Sequence, residues 1–251
     1  MSRVASIVSR IRINLGDKKE TRWTDNEIID TINEGLLDFV SETKTIKSVI
    51  LFELEQNINI YNISNIAMDI LKVQYLNKTI PVYTEDQLVK LDSDWENTIG
   101  TEVKCVMFDD LPKGQFKIYP RIQDLAVPIV EQNQVYGALI DITADADLFS
   151  ILESDAVTVS KYMKVYYVKR PNKITISTVD LDMELDEDYD TAMVLYTTGI
   201  LLRGDQDAQN RSFSAEQLQL YGAYVRRASE SSASNNNSAN KRRTVYNGGI
   251  Q

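Results

Sequence analysis

The chain has 251 residues, 43% of them hydrophobic, and a formal net charge of −10. That is enough apolar material for one large domain or two small ones, and the acidic balance opposes strong non-specific binding to nucleic acid. The absence of histidine removes the commonest general base, the commonest zinc ligand and every Ser-His-Asp arrangement, and a single cysteine excludes an internal disulfide.

No apolar run approaches the ~18 residues of a membrane helix, and no secretory leader is expected ahead of the first helix. That helix is predicted over 2–15, where Val4, Ile7, Val8, Ile11 and Leu15 follow helical spacing and Gly16 supplies the stop. Asp17 to Thr21 reads as a polar turn. The clearest helix of the chain follows, over 22–42. Thr24 and Glu27 have the spacing of a capping box, and Asp25 and Glu27 place negative charge on the positive end of the helix dipole. Trp23 and Ile28 fit a hydrophobic staple. Ile28, Ile29, Ile32, Leu36, Phe39 and Val40 form one apolar stripe. Gly35 lies at one edge of it, where another backbone could approach closely. Asn33 lies at the other edge, as readily a solvent-facing amide as a contact residue.

From about Ile46 the period changes from 3.6 to 2. Strands are predicted over 48–55, around Ile58 and Ile60, over 71–75, and over 103–108 and 115–119 as a hairpin turning through Pro112 and Gly114. Residues 83–95 read as helical, with a second capping-box spacing at Thr84 and Gln87. Cys105 falls in a predicted strand and reads as a buried structural thiol. Strands are also expected at 135–142, 162–168, 173–177 and 179–185. The acids at 141–155 and 180–190 lack the glycine and glutamate spacing of a calcium loop, so they read as solvated loop and as an acidic helix start. No metal or cofactor is expected.

Helices are predicted over 187–203, apolar almost all round and therefore central, and over 205–227. Residues 229–251 are rich in serine and asparagine and cannot hold a core alone. Their charge is reversed by Lys241, Arg242 and Arg243. With Val245 and Tyr246, these are the expected partner-binding residues, able to order on another protein or on a neighbouring subunit.

Arg22-Trp23-Thr24-Asp25, with Glu27-Ile28 and then Ile32-Asn33-Glu34, resembles the opening of bacteriophage head-to-tail adaptor proteins, also called connector, ring or tail tubular proteins. Trp23, Thr24, Asp25, Glu27 and Asn33 carry that signature. Leu15-Gly16-Asp17 before a basic turn, Trp95 followed by Gly100, a strand closing on Tyr119-Pro120, and Tyr166-Tyr167 before Pro171 are similar to the same family in the same order. Two departures stand out: the next proline after Pro120 is Pro128, and Leu185-Asp186 occupies a place where relatives often have proline.

The resulting expectation is an α+β fold. Residues 1–46 and 186–228 would form a four-helix bundle from the two chain ends. Residues 47–185 would be an inserted β-rich domain of antiparallel, sandwich-like sheets, with 121–160 as an extra insertion, and 229–251 a flexible polar tail. The resemblance implies a non-enzymatic virion protein at the portal vertex, assembled in the host cytoplasm. It would be a ring, commonly of twelve copies, that contacts the portal protein and the tail or a second ring protein, while double-stranded DNA passes through without specific binding. A tail-terminator or tail-tube protein should be dominated by barrel strands, which helices at both ends argue against. A carboxylate-based hydrolase is uninformative to seek among 37 acids. A generic binding module stays open.

Overall fold

The computed structural model describes residues 2–19, 21–76, 78–123, 140–141, 162–176 and 183–246. It is an α+β protein made of two compact units, one of residues 1–46 with 170–251 and one of 47–169.

In the first unit, α1 (Arg3–Leu15) is capped by Ser2 and closed by Gly16 in the left-handed region, at φ 69°. α2 (Asp25–Thr43) starts on a complete capping box: Thr24 Oγ1 accepts from the Glu27 N–H, and Glu27 accepts from the Thr24 N–H at 2.7 Å. A 3-10 turn at Glu187–Tyr189 leads into α4 (Asp190–Arg203), whose neighbours are α1, α2 and α5 (Ala208–Tyr246). α4 is buried on most sides because its sequence offers no polar stripe. Gly35 sits in the buried face of α2, but the group lying over it is a ring and not a backbone: a Cβ there would come within 2.7 Å of Tyr196 Cδ1. Tyr196 packs edge-on against Tyr221, and Phe39 lies between Tyr221 and Tyr189.

The second unit has a five-stranded antiparallel sheet in the order β4-β3-β10-β1-β9. Its strands are β1 (Lys47–Glu53), β3 (Ala67–Tyr75), β4 (Lys78–Thr79), β9 (Ile140–Asp141) and β10 (Tyr162–Lys169). β10 pairs with β1 on one side and β3 on the other, so Met163, Val165 and Tyr167 point into the core while Lys164 and Tyr166 point out. A second antiparallel sheet runs β2 (Ile60–Asn62), β7 (Gln115–Tyr119), β6 (Cys105–Met107). β5 (Ile99–Gly100) and β8 (Arg121–Ile122) form a short parallel pair. α3 (Glu85–Leu91) carries the second capping box, on Thr84 and Gln87, and ends four residues short of the expected 95. The core includes Phe116, Ile118, Leu88 and Trp95.

Three expectations need correction. The boundary expected at 185 falls at 169/170, because 170–176 and 183–185 belong with the helices. Pro171 has no N–H to continue a ladder. Residues 173–176 form no strand, since Ile174 takes its backbone partners from a helix side chain (below). Residues 229–246, expected as a flexible tail, continue α5; extending a helix fixes one residue per hydrogen bond, without the cost of a nucleus. The strands expected at 135–142 and 179–185 fall largely outside the described residues, as does most of 121–160.

Candidate functional site

The signature residues gather at the α1–α2 turn, and Asp17 organises them. Its carboxylate accepts from the backbone N–H groups of Thr21, Arg22 and Trp23 and from the Thr21 hydroxyl, at 2.9–3.3 Å. Arg12, buried on α1, donates to Asp17, to the Trp23 carbonyl and to Asp25. The Trp23 N–H above all, with those of Thr21 and Arg22, holds the Asp17 pKa down to about 2 against the opposing effect of burial. Glu27 is also lowered, chiefly by the Thr24 N–H. Trp23 is buried and stacked under the Arg22 guanidinium, 4.3 Å away. Arg22 continues to Asp205 in the α4–α5 turn, so the two interhelical turns meet at one end of the unit.

Asn33 is buried, not solvent-facing. Its Nδ2 donates to the Ile174 carbonyl and its Oδ1 accepts the Ile174 N–H, both at 2.8 Å. The amide thus stands in for a neighbouring strand. Asp17 is legible in sequence as part of Leu15-Gly16-Asp17, though not as the hub of these bonds; Arg12 and the Ile174 link are not legible there. An arginine directly after Ile11, with an acid directly after the glycine stop, is the signal the sequence offers.

The outer face of α2 is different in kind. Asp30, Glu34, Asp38 and Glu42 recur every four residues along it, all exposed. Like charges at that spacing weaken an isolated helix. Lys173 pairs with Asp30, and Tyr221 donates to Asp38 at 2.6 Å; burial above all, and then this bond, raises the tyrosine's pKa. Beside this face lies a groove of about 520 Å³ lined by Asp30, Asn33, Glu34, Leu36, Leu37 and residues 170–173. The expected partner-binding residues Lys241, Arg242, Arg243, Val245 and Tyr246 lie on the last turns of α5.

Cys105 is 1% exposed, and burial pushes its thiol up to about 11, so it stays protonated at neutral pH. Among the described residues no group of three or more histidine, cysteine or acidic side chains could hold a metal ion, and no helix is long and apolar enough to cross a membrane. Asp186 accepts from the Asp188 N–H, so this part of the acidic run serves the start of the 3-10 turn.

No curated protein sequence matches the chain. The family model described as SU10 adaptor protein matches residues 2–243, nearly the whole length. The match takes in the capped α2, the Asp17 turn, the sheet unit and the two C-terminal helices, and on it the chain belongs to the SU10 adaptor family of phage head-to-tail adaptor proteins.

Proposed function

We propose that this adaptor assembles as a ring, of twelve copies at the portal vertex, that sits beneath the portal protein, continues its DNA channel and offers the docking surface for the tail or a second ring. The reading is supported by the unit formed from residues 1–46 and 170–251, in which α4 packs against α1, α2 and α5. Its turns are locked by Arg12, Asp17 and the Arg22–Asp205 pair. A platform meant to be stacked must keep its shape under load from either side, and charged groups fixed at helix turns supply that rigidity. The acidic chain suits a channel wall, because a basic lumen would hold the moving polyanion. Trp23, Thr24, Asp25, Glu27 and Asn33 act here as shape-determining residues, and Lys241, Arg242, Arg243, Val245 and Tyr246 as contacts to partners. The protein assembles in the host cytoplasm and ends in the virion neck.

Electron microscopy of the purified protein mixed with its portal protein tests this. Rings seated coaxially on portals are expected. Portals that stay bare at saturating adaptor, or adaptor bound as scattered single copies, would sink it.

A further inference from the structure

Two features of the helical unit are complementary and cannot meet within one chain. The first is the exposed face of α2, where Glu34 and Glu42 stand with Asp30, paired with Lys173, and Asp38, bonded to Tyr221, beside a groove that Arg170 and Lys173 also line. The second is the end of α5. That helix has 39 residues, about 58 Å at 1.5 Å per residue. Ser232 donates to the Lys44 carbonyl, at the C-terminal end of α2. Residues 234–246 run on from there with three cations, Lys241, Arg242 and Arg243, and no acid, in a chain whose total is −10.

Direction decides what these cations can reach. Tyr221 bonds Asp38 and Ser232 bonds Lys44, so α5 advances along α2 the same way α2 itself runs. Lys241 lies nine residues past Ser232, about 13 Å further along the axis, beyond the end of α2 and away from Asp30. A continuous helix cannot return them to the acids of its own α2.

We infer that the basic end of α5 docks on the acidic outer face of α2 in a second copy of this chain. The contact joins two different surfaces, so each copy keeps one free donor and one free acceptor face. Repetition of such a head-to-tail contact closes into a ring when the rotation allows. The inference rests on the ring reading above and names the contact that would join adjacent subunits.

Charge reversal in the full chain tests it. One variant carries Lys241→Glu, Arg242→Glu and Arg243→Glu; the other carries Glu34→Lys and Glu42→Lys. Asp38 is left alone because it serves Tyr221. Circular dichroism confirms folding, and mass photometry with sedimentation reads self-association over a range of salt. Each reversal alone should weaken association by roughly tenfold or more, an equimolar mixture of the two variants should recover mixed pairs, and salt should weaken the wild type. If the wild type associates and both variants match it, or if the mixture recovers nothing, the inference is wrong while the ring reading stands. If the wild type stays monomeric at every concentration, alone and on its portal, both are wrong.

Discussion

In the helical unit, side chains reach far along the chain to make polar bonds: Arg3 to Asp190, Tyr221 to Asp38, Asn33 to Ile174, and Arg22 to Asp205. In the sheet unit such bonds are mostly short in sequence. Tyr61 serves Glu55 and Ile58, Thr98 and Tyr119 donate to Asp92, and Tyr166 reaches across the sheet to Gln74. The difference follows from what each kind of packing fixes by itself. Apolar helix faces fit over a range of angles and offsets, so directional bonds must choose one. A strand ladder sets its own register through the backbone, and a slip of one residue would turn its core face to solvent.

Core truncation gives the largest effect, and it separates the units. Phe39 in the helical unit and Phe116 in the sheet unit are both fully buried. Changing either to alanine should cost about 3–5 kcal/mol. Calorimetry should show Phe39→Ala lowering one transition and Phe116→Ala another. Coincident shifts of a single transition by both variants would mean the two units unfold as one, and the contrast would have no thermodynamic content. Next comes Asn33→Leu, which keeps the bulk of the side chain but leaves the Ile174 N–H and carbonyl without it. A loss of about 1–3 kcal/mol is expected in the helical transition, with proteolysis increased at 170–176. In the sheet unit Gln74→Leu, at a site as buried as Asn33 but bonded to the Tyr166 and Thr79 hydroxyls and not to backbone groups, should cost less.

Acid should also distinguish them. Asp17 has its pKa depressed from 3.8 to about 2 on folding, so the stability it contributes is complete above about 4 and is lost as pH falls through 2. Glu27 and Asp205, also in the helical unit, are shifted down as well, the first by the Thr24 N–H and the second by the Asn210 side chain. In the sheet unit the one carboxylate shifted down among the described residues is Asp92, held by the Thr98 hydroxyl. Between pH 4 and pH 2 the helical transition should therefore fall faster than the sheet transition. In Asp17→Asn it should begin lower and fall less steeply. An unchanged slope in that variant would remove Asp17 from the account.

Much of this was legible in sequence, and for a stated reason each time. The caps of α2 and α3 are spelled by residues three apart, and the hairpin through Pro112 and Gly114 by turn chemistry. Cys105 was placed by its apolar neighbours. What escaped was whatever depends on a partner far along the chain. Asn33 and Ile174 are 141 residues apart, and no periodicity connects them, so both the amide's burial and the boundary at 169/170 went unread. Nothing in its own helix marks Arg12, because its acid and carbonyl partners belong to the next turn and the start of α2. The family resemblance did record the places of Asp17, in Leu15-Gly16-Asp17, and of Asn33, after Ile32, without the physics that explains them.

The smallest expected effect is the most discriminating, because the same motif occurs once in each unit. Thr24 and Thr84 each begin a helix with a complete capping box, and replacing either with alanine should cost about 1 kcal/mol. The consequences should differ. α2 has 19 residues and ten of them are buried, so its cap adds to a helix already held by packing. α3 has seven residues and only Leu88 is buried, while Val89 and Leu91 face solvent. So short a helix is unstable alone, and its cap is a large share of what keeps it formed. In Thr24→Ala the loss should therefore appear in the global transition, with amide exchange in α2 still governed by unfolding of the whole unit. In Thr84→Ala the amides of 88–91 should exchange through local opening, several-fold faster, while the sheet transition hardly moves. Equal exchange behaviour in the two variants would mean that α3 is held by something other than its cap and Leu88.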